Sequence, residues 1–275
     1  MRTPASGCCG TSYEPAGGAE RPVLTFYMMA IYILWLRQLK RYFRARSRIV
    51  GSIGQPLLFL VALGFGLGPI YARAGGGDYI DFLAPGIIAM GILFTAVFSG
   101  IQIIWDRQFG FLKETLVAPV SRLQIMLGQT LGGATVALLQ GIIVFILTLF
   151  VGFRPEALSM LPLALVFAAL VALLFTALGV AIASMLDDMQ GFQLIMNFIV
   201  MPLFFLSGAL FPLENLPEPL LIVIRFDPLS YGVDGLRETL TGMTRFGMST
   251  DFVLLTAIVA LLLAVGSWLF SKVEI

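Results

Sequence analysis

Six stretches of this chain, 49–72, 82–105, 123–153, 157–186, 189–213 and 252–271, contain no charged side chain. None of its 17 basic and 16 acidic residues interrupts them. A bilayer core about 30 Å thick is crossed by roughly 20 helical residues, so each stretch is long enough to span. Helices that are apolar all round must be buried in protein or lipid, and the remaining residues are too few to cover six of them in water. Only 12% of the residues are charged, where soluble domains carry roughly a quarter. The pattern predicts one all-α integral membrane domain over 25–275, with six transmembrane helices at about 49–72, 82–105, 123–151, 159–186, 189–210 and 252–271.

Charge distribution sets an orientation. Arg2, Arg21, Arg37, Lys40, Arg41, Arg44, Arg46 and Arg48 precede the first span, and twelve of the seventeen basic residues fall on the N-terminal side of a six-span topology. Basic loops stay inside, which predicts both termini in the cytoplasm and a cytoplasmic (inner) membrane location. Residues 1–24 are rich in Gly, Pro, Ser and Ala and hold no apolar block; they read as a disordered cytoplasmic tail without a secretory signal. Cys8 and Cys9 lack metal-ligand spacing and are expected to be free thiols. The tail 271–275 is too short for an added domain.

Between tail and first span, 26–47 reads as an amphipathic helix. At 100° per residue, Arg37, Lys40, Arg41, Arg44 and Arg48 form a basic stripe about 100° wide, and Trp35, Leu36, Leu39, Tyr42 and Phe43 lie opposite. Its charge-free part is too short to span, so the helix is expected in the inner interface, with its cations toward headgroups or a soluble partner.

The predicted spans hold no ionisable residue and the chain holds no histidine, which argues against a proton relay. No Ser/His pair, paired carboxylates or metal-ligand set lies within them, so neither a catalytic residue nor a metal site is expected. Thr95, Ser99, Gln102, Gln140 and Asn197 are neutral polar groups within spans; they are candidates for a transport pathway or for interhelical hydrogen bonds. Nothing suggests a nucleic-acid partner. A phosphate loop of the form G-x-x-x-x-G-K-[ST] is absent, so ATP hydrolysis by that route would have to come from a partner. The segment 106–122, where good helix formers end at Ala118-Pro119, reads either as a short helix offering a docking surface for it or as a solvated turn.

Four segments in order carry a resemblance: FLAPGI at 82–87, R-x-x-G-x-L-K-E-T-L-x-A-P-V-S-R at 107–122, FFLSGALFPLENLP at 204–217 and DPLSYGVDGLR at 227–237. The chain resembles the permease subunits of type-2 ABC exporters, and within them the drug-resistance and nodulation lipo-oligosaccharide branch. The resemblance implies two six-span permease copies, a homodimer being expected, and two cytoplasmic ABC ATPase subunits. ATP and magnesium would be bound by those partners, with no cofactor in this chain. It implies ATPase coupling through Arg37, Lys40, Arg41 and Arg44 and through Asp106, Arg107, Gly110, Phe111, Lys113 and Glu114. It also implies re-entrant extracellular helices before the last span, an outer cap marked by Pro212, Glu214, Pro217, Asp227, Pro228 and Arg237. The expected function is outward movement of an amphipathic drug, lipid or lipid-linked glycan. A passive channel or ion-coupled secondary carrier is the alternative.

Overall fold

The computed structural model describes residues 20–73, 77–109, 121–186, 188–212 and 217–271, and among them every regular element is helical. Six helices are long and apolar enough to cross a membrane: Ile49–Arg73, Tyr79–Gln108, Arg122–Val151, Leu158–Met185, Met189–Leu206 and Met248–Leu269. They are called the first to sixth spans. An N-terminal helix, Glu20–Arg44, precedes them, and two short helices, Glu218–Phe226 and Pro228–Thr241, precede the sixth.

The second and fourth spans form the centre. Lipid tails are as apolar as leucine, so membrane helices associate through close packing, which small residues permit. A methyl group on Gly100 would lie 2.2 Å from the Gly179 carbonyl oxygen, and one on Gly179 would lie 2.5 Å from that of Val97. The two backbones therefore touch where the helices cross. The third span lays Gly133 over Ser99 and Thr176, and Gly141 over Ile92. Leu83, Ile87, Leu93, Phe167 and Phe175 fill the space between. The first, fifth and sixth spans are peripheral and leave large apolar side chains such as Phe65, Phe198 and Val253 exposed.

Helix ends follow local chemistry. Asp78 caps the second span through the Ile80 amide, Asp188 caps the fifth through Gly191, and Ser121 with Gln124 forms a capping box on the third. The fifth span has a π-helical turn, Met196–Val200, before Pro202. Proline cannot donate to the residue four back, and the Met201 amide instead reaches the Met196 carbonyl, five back.

Several expected boundaries shift. The N-terminal helix was expected at 26–47, after an irregular tail to 24; it begins at Glu20 and breaks after Arg44, and the next helix starts at Arg46. The second span starts at Tyr79 because Asp78 caps it, and the sixth starts at Met248. These extensions bring Asp81 and Asp251 into the first turns of spanning helices that were expected to hold no charge. Asp251 is fully buried there. Gly128 and Gly132, small residues that let helices approach closely, face Leu34 and Gln38 of the N-terminal helix.

Candidate functional site

A cluster of polar contacts gathers at each end of the second span. At the C-terminal end, Asp106 is buried and receives Arg37 at 2.5 Å and Arg41 at 3.8 Å. Gln102, one turn earlier, donates to the same carboxylate at 3.4 Å. A buried carboxylate is tolerated when cations and hydrogen bonds replace its water, and two arginines one helical turn apart do this. The neighbouring Arg107 donates to the carbonyls of Ser184 and Leu186 at 3.1 and 3.2 Å. Those carbonyls close the C-terminus of the fourth span, where unpaired acceptors and the negative end of the helix dipole favour a cation. One dipeptide thus joins the N-terminal helix, the second span and the fourth.

The basic stripe of the N-terminal helix is therefore divided. Arg37 and Arg41 turn inward onto Asp106, whereas Lys40 and Arg44 are exposed. The buried face is Leu34, Gln38 and Tyr42, seated on Gly128 and Gly132 of the third span. A ladder of polar bonds seals the seam. Trp35 Nε1 donates to Thr135 at 3.0 Å, Gln38 to the Gln129 side-chain oxygen, and Tyr42 to Gln140 at 2.9 Å. Sequence reasoning placed Tyr42 on an aromatic face away from the cations and did not single out Gln38. The signal was a flank of polar residues at helical spacing, Gln38 and Tyr42, beside the stripe.

Of the expected pathway residues, Thr95 and Gln102 line a cleft of about 450 Å³ between the first, second and fifth spans. Ser52, Gln55 and Tyr42 add polar groups to it, and Phe94, Phe98 and Trp105 add aromatic ones. Ser99 faces a small void that continues toward Gln38 and Arg41. Gln140 does not reach the cleft; it is fully buried and accepts from Tyr42 and Ser52. Asn197 is exposed on the π-helical turn. Of the expected coupling residues, Gly110, Phe111, Lys113 and Glu114 lie outside the described residues.

At the opposite end, three of the four quoted segments converge. Arg237 donates to the Gly208 carbonyl at 2.9 Å and the Phe82 carbonyl at 3.5 Å, and its guanidinium lies 4.1 Å from the centre of the Phe82 ring. Carbonyl dipoles and a ring face are suitable partners for a desolvated guanidinium. Burial lowers its pKa to about 10, so it stays charged at neutral pH. Gly86 meets the same turn, since a methyl there would lie 2.1 Å from the Ala209 carbonyl oxygen, and Tyr79 donates to the Leu210 carbonyl at 2.8 Å. Gly208 itself has φ of 75°, a conformation that favours glycine.

Asp227 joins the two short helices. It accepts from the Leu229 amide at 2.8 Å as the N-cap of Pro228–Thr241, with Pro228 at the first helical position. Burial raises its pKa to about 7, against the lowering effect of the Leu229 and Ser230 hydrogen bonds. Asp234 accepts from the Arg245 and Phe246 amides at 2.9 and 2.7 Å, holding the turn that leads to the sixth span. Pro217 starts Glu218–Phe226. Pro212 precedes a segment, 213–216 with Glu214, that is outside the described residues.

Six helices long and apolar enough to span make this a multi-pass membrane protein. The sequence pattern of the ABC-2 type transporter family matches residues 29–241. The chain is similar to Nodulation protein J of Rhizobium leguminosarum bv. trifolii, 32% identical over 77% of this chain and 78% of that protein. It is 30% identical to Nodulation protein J of Rhizobium leguminosarum bv. viciae over 85% and 86% of the two chains, and 31% identical to ycf38 of Pyropia yezoensis over 79% of each. The chain belongs to the ABC-2 type transporter family and is a multi-pass ABC transporter membrane subunit, not itself an enzyme.

Proposed function

We propose that this chain forms the membrane half of an ATP-driven exporter, with a dimer of cytoplasmic ABC ATPase subunits supplying the energy. The observation that carries the reading is the Asp106 junction. It ties the N-terminal helix, the second span and the fourth span at the bundle end that also bears most of the basic residues, and it leads directly into the 107–122 motif. Movement of a docked ATPase at that motif would reach the cleft through Gln102, which bonds Asp106 and lines the cleft wall. In this reading 106–114, including Gly110, Phe111, Lys113 and Glu114, forms the coupling segment with the exposed Lys40 and Arg44. The Asp106 end and both termini face the cytoplasm.

The cleft favours a substrate with two characters. Ser52, Gln55, Thr95 and Gln102 offer hydrogen bonds, while Phe94, Phe98 and Trp105 offer apolar and stacking surface. An amphipathic drug, lipid or lipid-linked glycan matches such a wall. In this reading a second copy completes the cleft, whose walls here come mainly from the first and second spans. The short helices 218–241 then form an outer cap that dips into the bilayer, which irregular backbone tolerates only when protein covers it.

The test is purification with the ATPase partner, followed by a screen for substrate-stimulated ATP hydrolysis. Stimulation abolished by Glu114→Arg, with normal membrane insertion, is the expected result. Transport by the purified permease alone under an ion gradient would instead establish the carrier reading.

A further inference from the structure

The first turn of the sixth span carries a carboxyl group that no donor satisfies. Asp251 is fully buried, and neither of its side-chain oxygens receives a hydrogen bond. Among the described residues no cation pairs with it. The first turn of a helix favours an anion, but no amide reaches this one. Its surroundings are close-packed. A methyl on Gly232 or Gly235 of the cap helix would lie 2.4 Å from Val171 or Phe167 of the fourth span, and Phe252, next to Asp251, meets the Phe167 ring edge-on. A buried carboxylate without partners takes up a proton instead of staying charged.

The polar group that Asp251 does meet is another carboxylate. Its side chain is in hydrogen-bonding contact with Asp234 of the cap helix, and Glu238, one turn along that helix, adds a second like charge. Asp234 already accepts the Arg245 and Phe246 amides at 2.9 and 2.7 Å, bonds that favour a carboxylate over an acid. Two buried carboxyl groups in contact hold one proton between them, because like charges so close do not both persist.

The other charged groups around the pair are turned elsewhere. Arg237 donates to the Gly208 carbonyl, and the exposed Arg245 lies over the Phe246 ring, 5.6 Å from its centre. Arg225 is exposed and its carbonyl accepts the Tyr231 hydroxyl, Asp227 accepts the Leu229 amide, and Glu156 lies against Gly242. The fourth span has no ionisable side chain, and the third has only Arg122, at its far end. Among the described residues no three metal-ligating side chains converge, so the pair lacks the further ligands a metal ion would need.

We propose that Asp251 and Asp234 form a one-proton site, Asp251 donating as the acid and Asp234 accepting as the carboxylate, and that this proton latches the cap helix to the sixth span. When the proton leaves, two anions oppose each other across the seam, and the 242–247 turn that rests on Asp234 is released. A carboxyl group protonated in the fold and ionised in the unfolded chain gives stabilisation that is present at low pH and lost as pH rises. The latch belongs to the cap alone, whatever the protein transports.

The experiment is infrared spectroscopy of the full chain in a detergent that has no carbonyl group, in an Asp227→Asn background that removes another buried cap carboxyl. A carboxylic-acid carbonyl band should be present at neutral pH and lost in Asp251→Asn, a near-isosteric change that keeps a donor for Asp234. Raising the pH until the band disappears should release the turn in step. Protection of the Arg245 and Phe246 amides from hydrogen exchange, corrected for the intrinsic rate, should fall about tenfold in the parent and change by less than about twofold in Asp251→Asn. The parent spectrum decides the question even if the variant does not fold: absence of the band there would overturn the proposal. Survival of the band in Asp251→Asn, or amide protection that does not follow its loss, would overturn it too. A parent without the band, whose unfolding temperature rises with added sodium or calcium while that of Asp251→Asn does not, would assign the pair to a cation and overturn the proton.

Discussion

The two ends of the second span hold charge in different ways. At the Asp106 end, one carboxylate holds two arginines and a glutamine side chain to side chain, while the adjacent Arg107 reaches two backbone carbonyls. At the cap end, side chain meets backbone: Arg237 on the Gly208 and Phe82 carbonyls, Asp234 on the Arg245 and Phe246 amides, Asp227 on the Leu229 amide. Ion pairs between long side chains can be remade after a small shift of either helix. A guanidinium fixed to two carbonyls, with Gly86 pressed against Ala209, has one geometry. Apart from Arg107, the first end is the one whose contacts a helix shift can remake, which the proposed coupling requires, and the fixed contacts of the second suit the proposed cap.

The largest effect is expected where that rigidity is tightest. Gly86→Ala places a methyl 2.1 Å from a backbone oxygen that cannot rotate away. Overpacking ordinarily costs about 1–3 kcal/mol, and a backbone obstacle belongs at the upper end or beyond. Thermal unfolding of the detergent-purified permease should show a loss of about 3 kcal/mol or more. A variant as stable as the parent would mean that the cap turn moves freely, and the contrast between the ends would disappear.

At the other end the expected loss is smaller and reversible by charge exchange. Asp106→Arg leaves three cations together, and Arg37→Glu alone sets two carboxylates side by side. Combining them restores one pair, although Arg41 then faces the new arginine. Because Arg37 and Arg41 side chains are 30% and 38% exposed, solvent screens part of the interaction, and a coupling energy of about 1–2 kcal/mol is expected from the double-mutant cycle. Additive single effects would show that Asp106 is held by packing alone.

The architecture was written mainly in one quantity, the length of charge-free runs, because a bilayer demands it of each helix separately. Where the runs pack was not. Gly128 and Gly132 announce a close approach, but a small residue does not name its partner, and only the fold shows that the N-terminal helix lies there. Asp106 and Arg107 were legible as charges at a span end, and their opposite assignments, one to a helix face and one to a helix C-terminus, depend on tertiary placement. At the cap end the segments containing Phe82, Gly208 and Arg237 were each conspicuous, yet only the fold shows that they meet. Asp251 was read as lying outside a span because charge itself defined the boundary, whereas capping and packing extended the helix past it.

A pH titration separates the ends further. The folded pKa of Asp227 is raised by burial from 3.8 to about 7. The folded state therefore binds the proton more tightly than the unfolded chain, and the associated stabilisation is complete below about pH 4 and lost as pH rises through 7. Asp227→Asn keeps an acceptor for the Leu229 amide and removes the titration. Unfolding temperatures of the wild type should fall between pH 5 and 8 by more than those of the variant. Parallel curves would mean that water reaches this carboxylate and that the cap is open.

The smallest expected effect tests the division of the basic stripe. Lys40 and Arg44 are exposed, while Arg37 and Arg41, each three residues earlier on the same helix, face Asp106. Exposed substitutions away from special contacts change stability by roughly 0.5 kcal/mol or less. Lys40→Ala and Arg44→Ala together should therefore leave the unfolding curve nearly unchanged, whereas Arg37→Ala with Arg41→Ala should lower it clearly. If the exposed pair serves the ATPase or headgroups, the first double variant should still weaken ATPase co-purification or binding to anionic vesicles, and 1 M salt, which shortens the screening length to about 3 Å, should mimic it. Equal destabilisation by the two double variants would return the stripe to a single face and remove the distinction between a structural and a docking half.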